Sequence, residues 1–436
     1  MLLQIHTLTT YGPSLLNRDR DGMAKRIQFG NASRIRVSSQ CLKRHWRDEM
    51  KLALADIPDG WRTRAFFTHQ VRPRFEDAYA EWQATEHEKK PLDATTVERL
   101  LEVLRKNVVP DKESDDGDGS ADGEDRPDKK RKGKKSKHAS KDAQQELLPD
   151  QQAKSENGAE EDEEEDSNGI DTKQPILFGM READYFAQMM LRACKESKSN
   201  PAEALDVEMK RKKKNIQAMS KSAAGLTAAL FGRMSTGDIL ARVDAPVHVA
   251  HAFTTHEANT VWDYFAVVDD ILKEKGSGAA HINETELGSG TYYGYVVVDI
   301  PLLLSNMTGC LPSAWRGQDR QMAMRVLGEL IRCVTSKSPG AKKGSTAPYA
   351  VSDFTLIEVG KAQPRALANS FLEAVSCNED VRVESARRLL KYMDRLDRAY
   401  GMEAKRFLST SLEMDVPIIN ESRQDAIDHA LDAIWI

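Results

Sequence analysis

Apolar and polar positions alternate with more than one rhythm along this chain. Residues 2–11 (LLQIHTLTTY) gather Leu, Ile and Thr and predict a strand, ended by Gly12-Pro13. A loop dense in charge follows (Asn17, Arg18, Asp19, Arg20, Asp21), and Ser38-Ser39 offers an N-cap for a helix to about Ala55. Further helices are expected to about residue 108. From Pro175 the apolar residues Ile176, Phe178, Met180, Tyr185, Phe186, Met189, Met190 and Leu191 recur at roughly helical spacing. The basic run Lys210 to Lys214 begins another helix, reaching Phe231. Strand signals then take over in 246–256 (PVHVAHAFTTH), 291–304 (TYYGYVVVDIPLLL) and 354–360 (FTLIEVG), all rich in β-branched or aromatic residues. A charged, Gly-rich excursion separates the first two. Helices are expected at 319–335, 363–377 and 382–399. Strands alternating with single helices, without an internal repeat, predict an α+β fold on a ferredoxin-like sheet, with the helices inserted at 50–230 as a second lobe.

One stretch has neither rhythm. Residues 109–172 run through Asp, Gly and Ser, then KKRKGKKSK, then EEDEEEDSNG, with almost nothing apolar to bury. Such a stretch does not offset its ordering entropy, so disorder is expected for this charged insertion at about 111–172. Its basic cluster reads either as a nucleic-acid patch or as a solvated segment whose opposite charges partly neutralise each other.

Charge changes the picture once that insertion is set aside. Residues 111–172 hold 21 acidic and 11 basic side chains, whereas the rest of the 436-residue chain holds 52 basic against 47 acidic. The overall charge of −5 therefore hides a modest positive excess, which permits an anionic partner without demanding one. The five cysteines (Cys41, Cys194, Cys310, Cys333, Cys377) are scattered and never spaced C-x-x-C. That usage argues against a disulfide framework or thiolate zinc site and suits a reducing, cytoplasmic setting. The opening MLLQIHTLTTYGP lacks the features of a signal peptide, and no run of apolar residues is long enough to predict a membrane span.

The candidate chemistry is mostly basic. The first 47 residues hold nine Lys or Arg and two acids. On a helical wheel Gln40, Lys43, Arg44 and Arg47 form one stripe, with Leu42, Trp46 and Met50 beside it. The apolar stripe would pack the helix on a sheet and turn the basic stripe and the free N–H groups outward, a geometry suited to phosphates. An amphipathic helix with solvated charges is the other reading. His248, His251 and His256 lie close in sequence, but on a strand 248 and 251 point to opposite faces, so no metal site is expected. Walker, Rossmann and G-x-S-x-G patterns do not occur, and no cofactor is expected. Asp19 and Asp21 could hold a divalent ion for phosphodiester cleavage or form a salt-bridged structural loop. Trp262, Tyr264 and Phe265 begin the excursion, as core or as stacking faces for bases or a neighbouring subunit. Met234, after Phe231-Gly232-Arg233, could wedge between bases or sit in the core.

Several ordered segments resemble one family. PSLLNRD (13–19) and RIRVSSQCLKR (34–44) are similar to the P-S-x-L-N-R-D and R-V-R-I-S-S-Q-x-L-K-R of the CasC family, the backbone subunits of the type I-E CRISPR Cascade complex. FGRMST (231–236), VAHAFTTH (249–256), DYFAVVDD (263–270), PGAK (339–342) and ANSFLEAV (368–375) resemble that family's central and C-terminal parts. The resemblance implies an RRM-like palm from residues 1–50 and 215–436, with a β-hairpin thumb at about 255–290. It implies a helical finger lobe at 51–214, and a non-enzymatic protein whose copies assemble head to tail along one CRISPR guide RNA, beside other Cascade subunits. Base pairing would read target DNA while the protein holds the guide backbone. By position, Arg18, Lys25, Ser38, Gln40, Lys43 and Arg47 would contact guide phosphates and sugars. Arg233 and Met234 would also touch RNA, Met234 as a wedge, and Lys342 would add a contact. Tyr264 and Phe265 stand where the family has a Trp-Phe pair on the thumb. The insertion at 111–172 has no counterpart in the family, and the run at 210–214 is unusually basic. The rival expectation is a metal-dependent, RNA-cleaving backbone subunit of a type III-like complex, using Asp19 or Asp21.

Overall fold

A long strand pairing with neighbours on both of its edges organises this protein, seen in a computed structural model. The described residues are 1–86, 93–109, 170–172, 174–197, 199–234, 240, 242–267 and 281–436. Most of the charged insertion, and with it the disorder expected there, lies outside them. Ile170 and Thr172, at its expected end, are buried, and Thr172 N–H donates to Arg64 O at 3.1 Å.

The strands are β1 (Leu2–Ser14), β2 (Arg26–Phe29), β3 (Ala32–Val37), β4 (Gly60–Thr63), β5 (Ile176–Gly179), β6 (Val247–Val249), β7 (Ala252–Thr254), β8 (Thr260–Val267), β9 (His281–Asp299), β10 (Ser352–Gly360) and β11 (Lys405–Thr410). Among the described residues nine of them form one sheet, ordered β11-β10-β1-β9-β7-β3-β2, with β6 and β8 also pairing with β9. All its strand pairings are antiparallel. One edge of β9 runs along β1 from Leu2↔Asp299 to Ser14↔Gly288, while the other edge meets β6, β7 and β8 in turn.

The strands' two-residue period supplies both faces of the sheet. Leu3, Ile5, Val296, Val298, Ile357 and Val359 face one way. They are covered by α1 (Ser39–Ala53), α6 (Gly225–Phe231), α7 (Ile300–Thr308), α8 (Arg320–Ser336) and α11 (Arg423–Trp435). Leu8, Tyr293, Phe354, Leu356 and Leu408 face the other way, under α10 (Val381–Tyr400). The expected α+β class is met: an antiparallel sheet layered with helices. A separate apolar cluster joins α2 (Arg72–Glu86), α3 (Ala94–Val108), α4 (Met180–Glu196) and α5 (Pro201–Ala223) around Phe66, Phe75, Leu104, Phe186 and Met209. Phe66 and Phe178 stack there at 3.9 Å between ring centroids. A last short helix, α9, spans Lys343–Thr346.

Several expectations are corrected by long-range pairing. The loop expected between the first strand and Ser38 contains the β2–β3 hairpin, turned at Gly30 with φ 62°. A Cβ at Gly30 would stand 1.7 Å from Leu372 O, so only glycine fits there. Residues 176–179 are strand rather than helix, because they pair with β4 (Trp61↔Phe178). Residues 300–304 are helical, not strand: Asp299 Oδ1 accepts Leu302 N–H at 3.1 Å, and Pro301 lies in the first turn. The Lys210–Lys214 run sits within α5 instead of starting it.

The expected helix at 363–377 is only a short turn at Ala368–Phe371. Its backbone bonds outward instead: Arg365 N–H to Gln4 Oε1, Leu367 N–H to the Tyr293 hydroxyl and Val375 N–H to Thr255 O, at 2.9, 2.9 and 3.0 Å. The segment 246–256 is two short strands, not one, and β11 and α11 carry no signal read from the sequence.

Candidate nucleic-acid interface

Helix α1 begins as its sequence predicts. Ser38 Oγ accepts Cys41 N–H at 3.4 Å, and Ser38 N–H donates to Asn17 Oδ1 at 3.0 Å. Ser38 itself is buried. Its hydroxyl is engaged as a cap, so what it presents outward is the helix N-terminus. Trp46 and Met50 anchor the inner face, while Gln40 and Arg44 are exposed and Lys43 and Arg47 half-buried on the outer flank.

The charges on that flank are poorly matched. Among the described residues Lys43 has no carboxylate partner, and its Nζ lies 5.6 Å from the centre of the Phe231 ring. Arg47 meets Asp48 only at 3.5 Å, and its buried Nε makes no hydrogen bond. One turn further, Lys51 Nζ donates to Gly60 O at 2.7 Å, pinning β4 beside the helix. Burial and the charge of Arg62 hold the Lys43 ammonium below its ordinary pKa. On the opposite flank, burial together with Lys343 and Arg44 pushes His45 down to about 4.

The loop ahead of α1 is self-contained. Asp19 Oδ1 accepts N–H from Asp21 and Met23 at 3.0 and 2.9 Å, and Arg18 bridges to Ala24. Lys25 is half-buried, its N–H donating to Asn17 O at 3.0 Å, and its charge reaches both Cys41 and His251. Asp19 thus closes a tight turn through the amides of its own loop. The three histidines do not converge. His248 Nε2 meets Ala245 O, His251 accepts from Arg36 Nη1 at 2.8 Å, and His256 Nδ1 meets Glu257 O.

Arg233 departs from its expected role. Its side chain is fully buried, bonded to both Glu182 oxygens at 2.8 and 2.9 Å and to Ser220 Oγ at 2.6 Å. Its backbone pairs with Val243, through bonds of 2.8 and 3.1 Å. The guanidinium is therefore an internal anchor out of reach of RNA. The anchor has a consequence: Met234, the next residue, is thrust outward at 89% exposure.

Strand β8 and the first part of β9 form hairpin arms, from Thr260↔Gly288 to Val267↔His281; residues 268–280 lie outside the described residues. Val261, Trp262, Tyr264 and Phe265 all remain exposed, so neither face of the ribbon is covered by a layer. Its base is tied down twice. Glu286 is buried and ion-paired with Arg26 while accepting Ala24 N–H at 2.7 Å. Lys342 donates to Thr285 Oγ1 at 2.5 Å and lies over the Phe265 ring. Phe265 is the more sheltered of the pair and Tyr264 the more open.

The structure therefore brings Gln40, Lys43, Arg44 and Arg47 into one flank, leaves Met234 and Tyr264 projecting, and places Arg233 and Ser38 inside. Reading the sequence missed Arg62, whose strand has no local signal, and Lys343, the neighbour of a residue it did find. An outward basic flank, with Met and aromatic side chains projecting elsewhere on the chain, has the ingredients of a backbone-reading surface for nucleic acid.

The same fold occurs in chains of CRISPR RNA-guided surveillance complexes. One, from a complex described as pre-nicking, is 24% identical with TM-score 0.72, covering 100% of both chains. Another is 20% identical with TM-score 0.54, covering 99% of each. Residues 3–433 match the family model Cas_CT1975, described as CT1975-like protein, and the chain belongs to that family. No curated protein matches the chain. Among the described residues no helix is long and apolar enough to cross a membrane.

Proposed function

We propose that this chain is a backbone subunit of a CRISPR surveillance complex that holds the guide RNA by its phosphates. The observation carrying this reading is the flank of α1, where Lys43 and Arg47 point outward without an adequate carboxylate. Folded proteins rarely leave semi-buried cations so poorly matched unless an external anion completes them. Exposed Met234 and the uncovered hairpin add groups that could part or stack bases. The finer reading is a type I-E, CasC-like subunit in the cytoplasm, with an RRM-like palm. Its copies polymerise along one guide beside other Cascade subunits, and support pairing of the guide with target DNA. No catalysis is assigned to it in this reading, in which Asp19 Oδ1 serves its own loop by accepting two amides.

The experiment is sequencing of the nucleic acid that copurifies when the chain is expressed with its genomic neighbours and array. Uniform RNAs of spacer flanked by repeat are expected; a heterogeneous RNA mixture, or none, would overturn the reading. Incubating the assembled complex with complementary RNA and magnesium tests the absence of catalysis. Regularly spaced cuts lost in Asp19→Ala or Asp21→Ala would make it a nuclease.

A further inference from the structure

Strand β4 belongs to the helical lobe, yet it delivers one cation to the flank of α1. Lys43, Arg47 and Lys51 lie four residues apart on that helix and form a single stripe. Lys51 grips Gly60 O at 2.7 Å and approaches Asp59 at 3.4 Å, which fixes where β4 runs. Gly60 and Arg62 share one side of the strand, so Arg62 continues along the stripe towards Arg47 and Lys43. The register Arg62↔Leu177 with β5 sets the strand's rotation.

The three cations face one another with little to neutralise them. Arg62 is exposed and has no hydrogen bond or ion pair among the described residues. After burial, the charge of Arg47 lowers the Arg62 guanidinium, and the charge of Arg62 lowers the Lys43 ammonium. The nearby acid cannot serve. Asp59 accepts Thr227 N–H and Oγ1–H, both at 2.7 Å, and so is committed to holding α6. Phe231, under Lys43, closes one side of the site three residues before Met234. Like charges set near one another without a carboxylate repel, and an anion between them would relieve that repulsion.

We propose that Arg62, Lys43 and Arg47 form one seat for a phosphodiester of single-stranded RNA, beside the base position that Met234 would enter. The seat spans both lobes, two members coming from a helix on the sheet and one from a strand of the helical lobe. It rests on the reading of this chain as a guide-RNA subunit and adds a residue that neither the motifs nor the stripe on α1 supplied. A guanidinium there can chelate two phosphate oxygens, which an ammonium cannot.

The test is guide-RNA affinity of the full chain, measured across a salt series for wild type, Arg62→Ala and Arg62→Lys. Arg72→Ala serves as control, because Arg72 lies elsewhere in the lobe and pairs with Glu76 at 2.8 Å. Arg62→Ala is expected to weaken binding about tenfold and to reduce the salt slope by about 0.7, the loss of one phosphate contact on a single strand. Arg62→Lys should restore the slope but only part of the affinity, and Arg72→Ala should change neither. Thermal unfolding of Arg62→Ala should match or slightly exceed wild type, since the side chain makes no internal bond and its loss relieves repulsion. Wild-type affinity and slope in Arg62→Ala would overturn the seat while leaving the guide-RNA reading intact. A wild-type chain that binds no guide RNA would overturn that reading itself, and the seat with it.

Discussion

The protein carries two concentrations of charge whose matching is opposite. On the α10 side of the sheet, Glu358 is fully buried and accepts from Arg365, Arg406 and His6 at 2.8, 2.8 and 3.3 Å. Asp397 accepts a bond from Arg365 at 3.0 Å and is ion-paired with Arg406 at 2.6 Å. Cations and carboxylates there neutralise one another inside the fold, although Arg365 Nε and Arg406 Nη2 make no hydrogen bond. On the flank of α1, Lys43, Arg47 and Arg62 share only Asp48, at 3.5 Å from Arg47. Lys43 and Arg47 stand on a helix packed against the same sheet, so the difference is not a failure of the fold to supply acids. A closed network specifies packing, whereas an open one is completed from outside.

The largest effect expected from this contrast is on stability. Glu358→Ala leaves three buried cationic or hydrogen-bonding groups without their acceptor and should cost about 3–5 kcal/mol. Urea unfolding would measure it, and a loss below about 1 kcal/mol would mean the network is not closed as described. Next comes the opposite outcome at the open site. Lys43→Ala with Arg47→Ala should lower guide-RNA affinity by about a hundredfold and the salt slope by about 1.4, with the unfolding midpoint unchanged. A parallel drop in stability would erase the distinction between the two sites.

Acid should separate them further. Burial holds His6 below its ordinary 6.5, against the opposing bond to Glu358. Burial would raise Glu358, but the bonds from His6 and Arg365 outweigh it and hold the carboxylate below its ordinary 4.5. Both groups bind protons more readily in the unfolded chain, so stability is fully present above about pH 6.5 and declines as pH falls. Thermal unfolding from about pH 7.5 to about pH 5 should show that decline, and His6→Gln should flatten it. Smaller effects are expected at the edges of the interface. Ser38→Ala should cost about 1 kcal/mol through the lost cap. Met234→Ala should change stability by less than about 0.5 kcal/mol, its cost falling on RNA binding instead.

The α1 region was largely legible in the sequence because its determinants are local. A serine cap, an apolar stripe and a basic stripe repeat at the spacing of one helix, and burial then followed the amphipathic pattern. Arg233 was misread for the converse reason. Nothing near it in sequence reveals that Glu182 and Ser220, 51 and 13 residues away, would enclose its guanidinium. The segment 363–377 failed similarly, its helical pattern losing to bonds made with Gln4, Tyr293 and Thr255.

What the sequence determined by itself was the period of each strong element, the placing of caps and the excess of positive charge outside the insertion. Those follow from neighbours within a turn or two, where side-chain spacing alone decides which face is apolar. Only the tertiary structure decided which cations are matched. Arg34, Arg62 and Arg233 are the same residue type in similarly basic surroundings. One is buried against the carbonyls of Thr254, Thr255 and Phe371, one stands open, and one closes on Glu182. Their fates were set by strand register and helix packing across tens to hundreds of residues, and a carboxylate's reach of a few ångströms is defined only once those are in place.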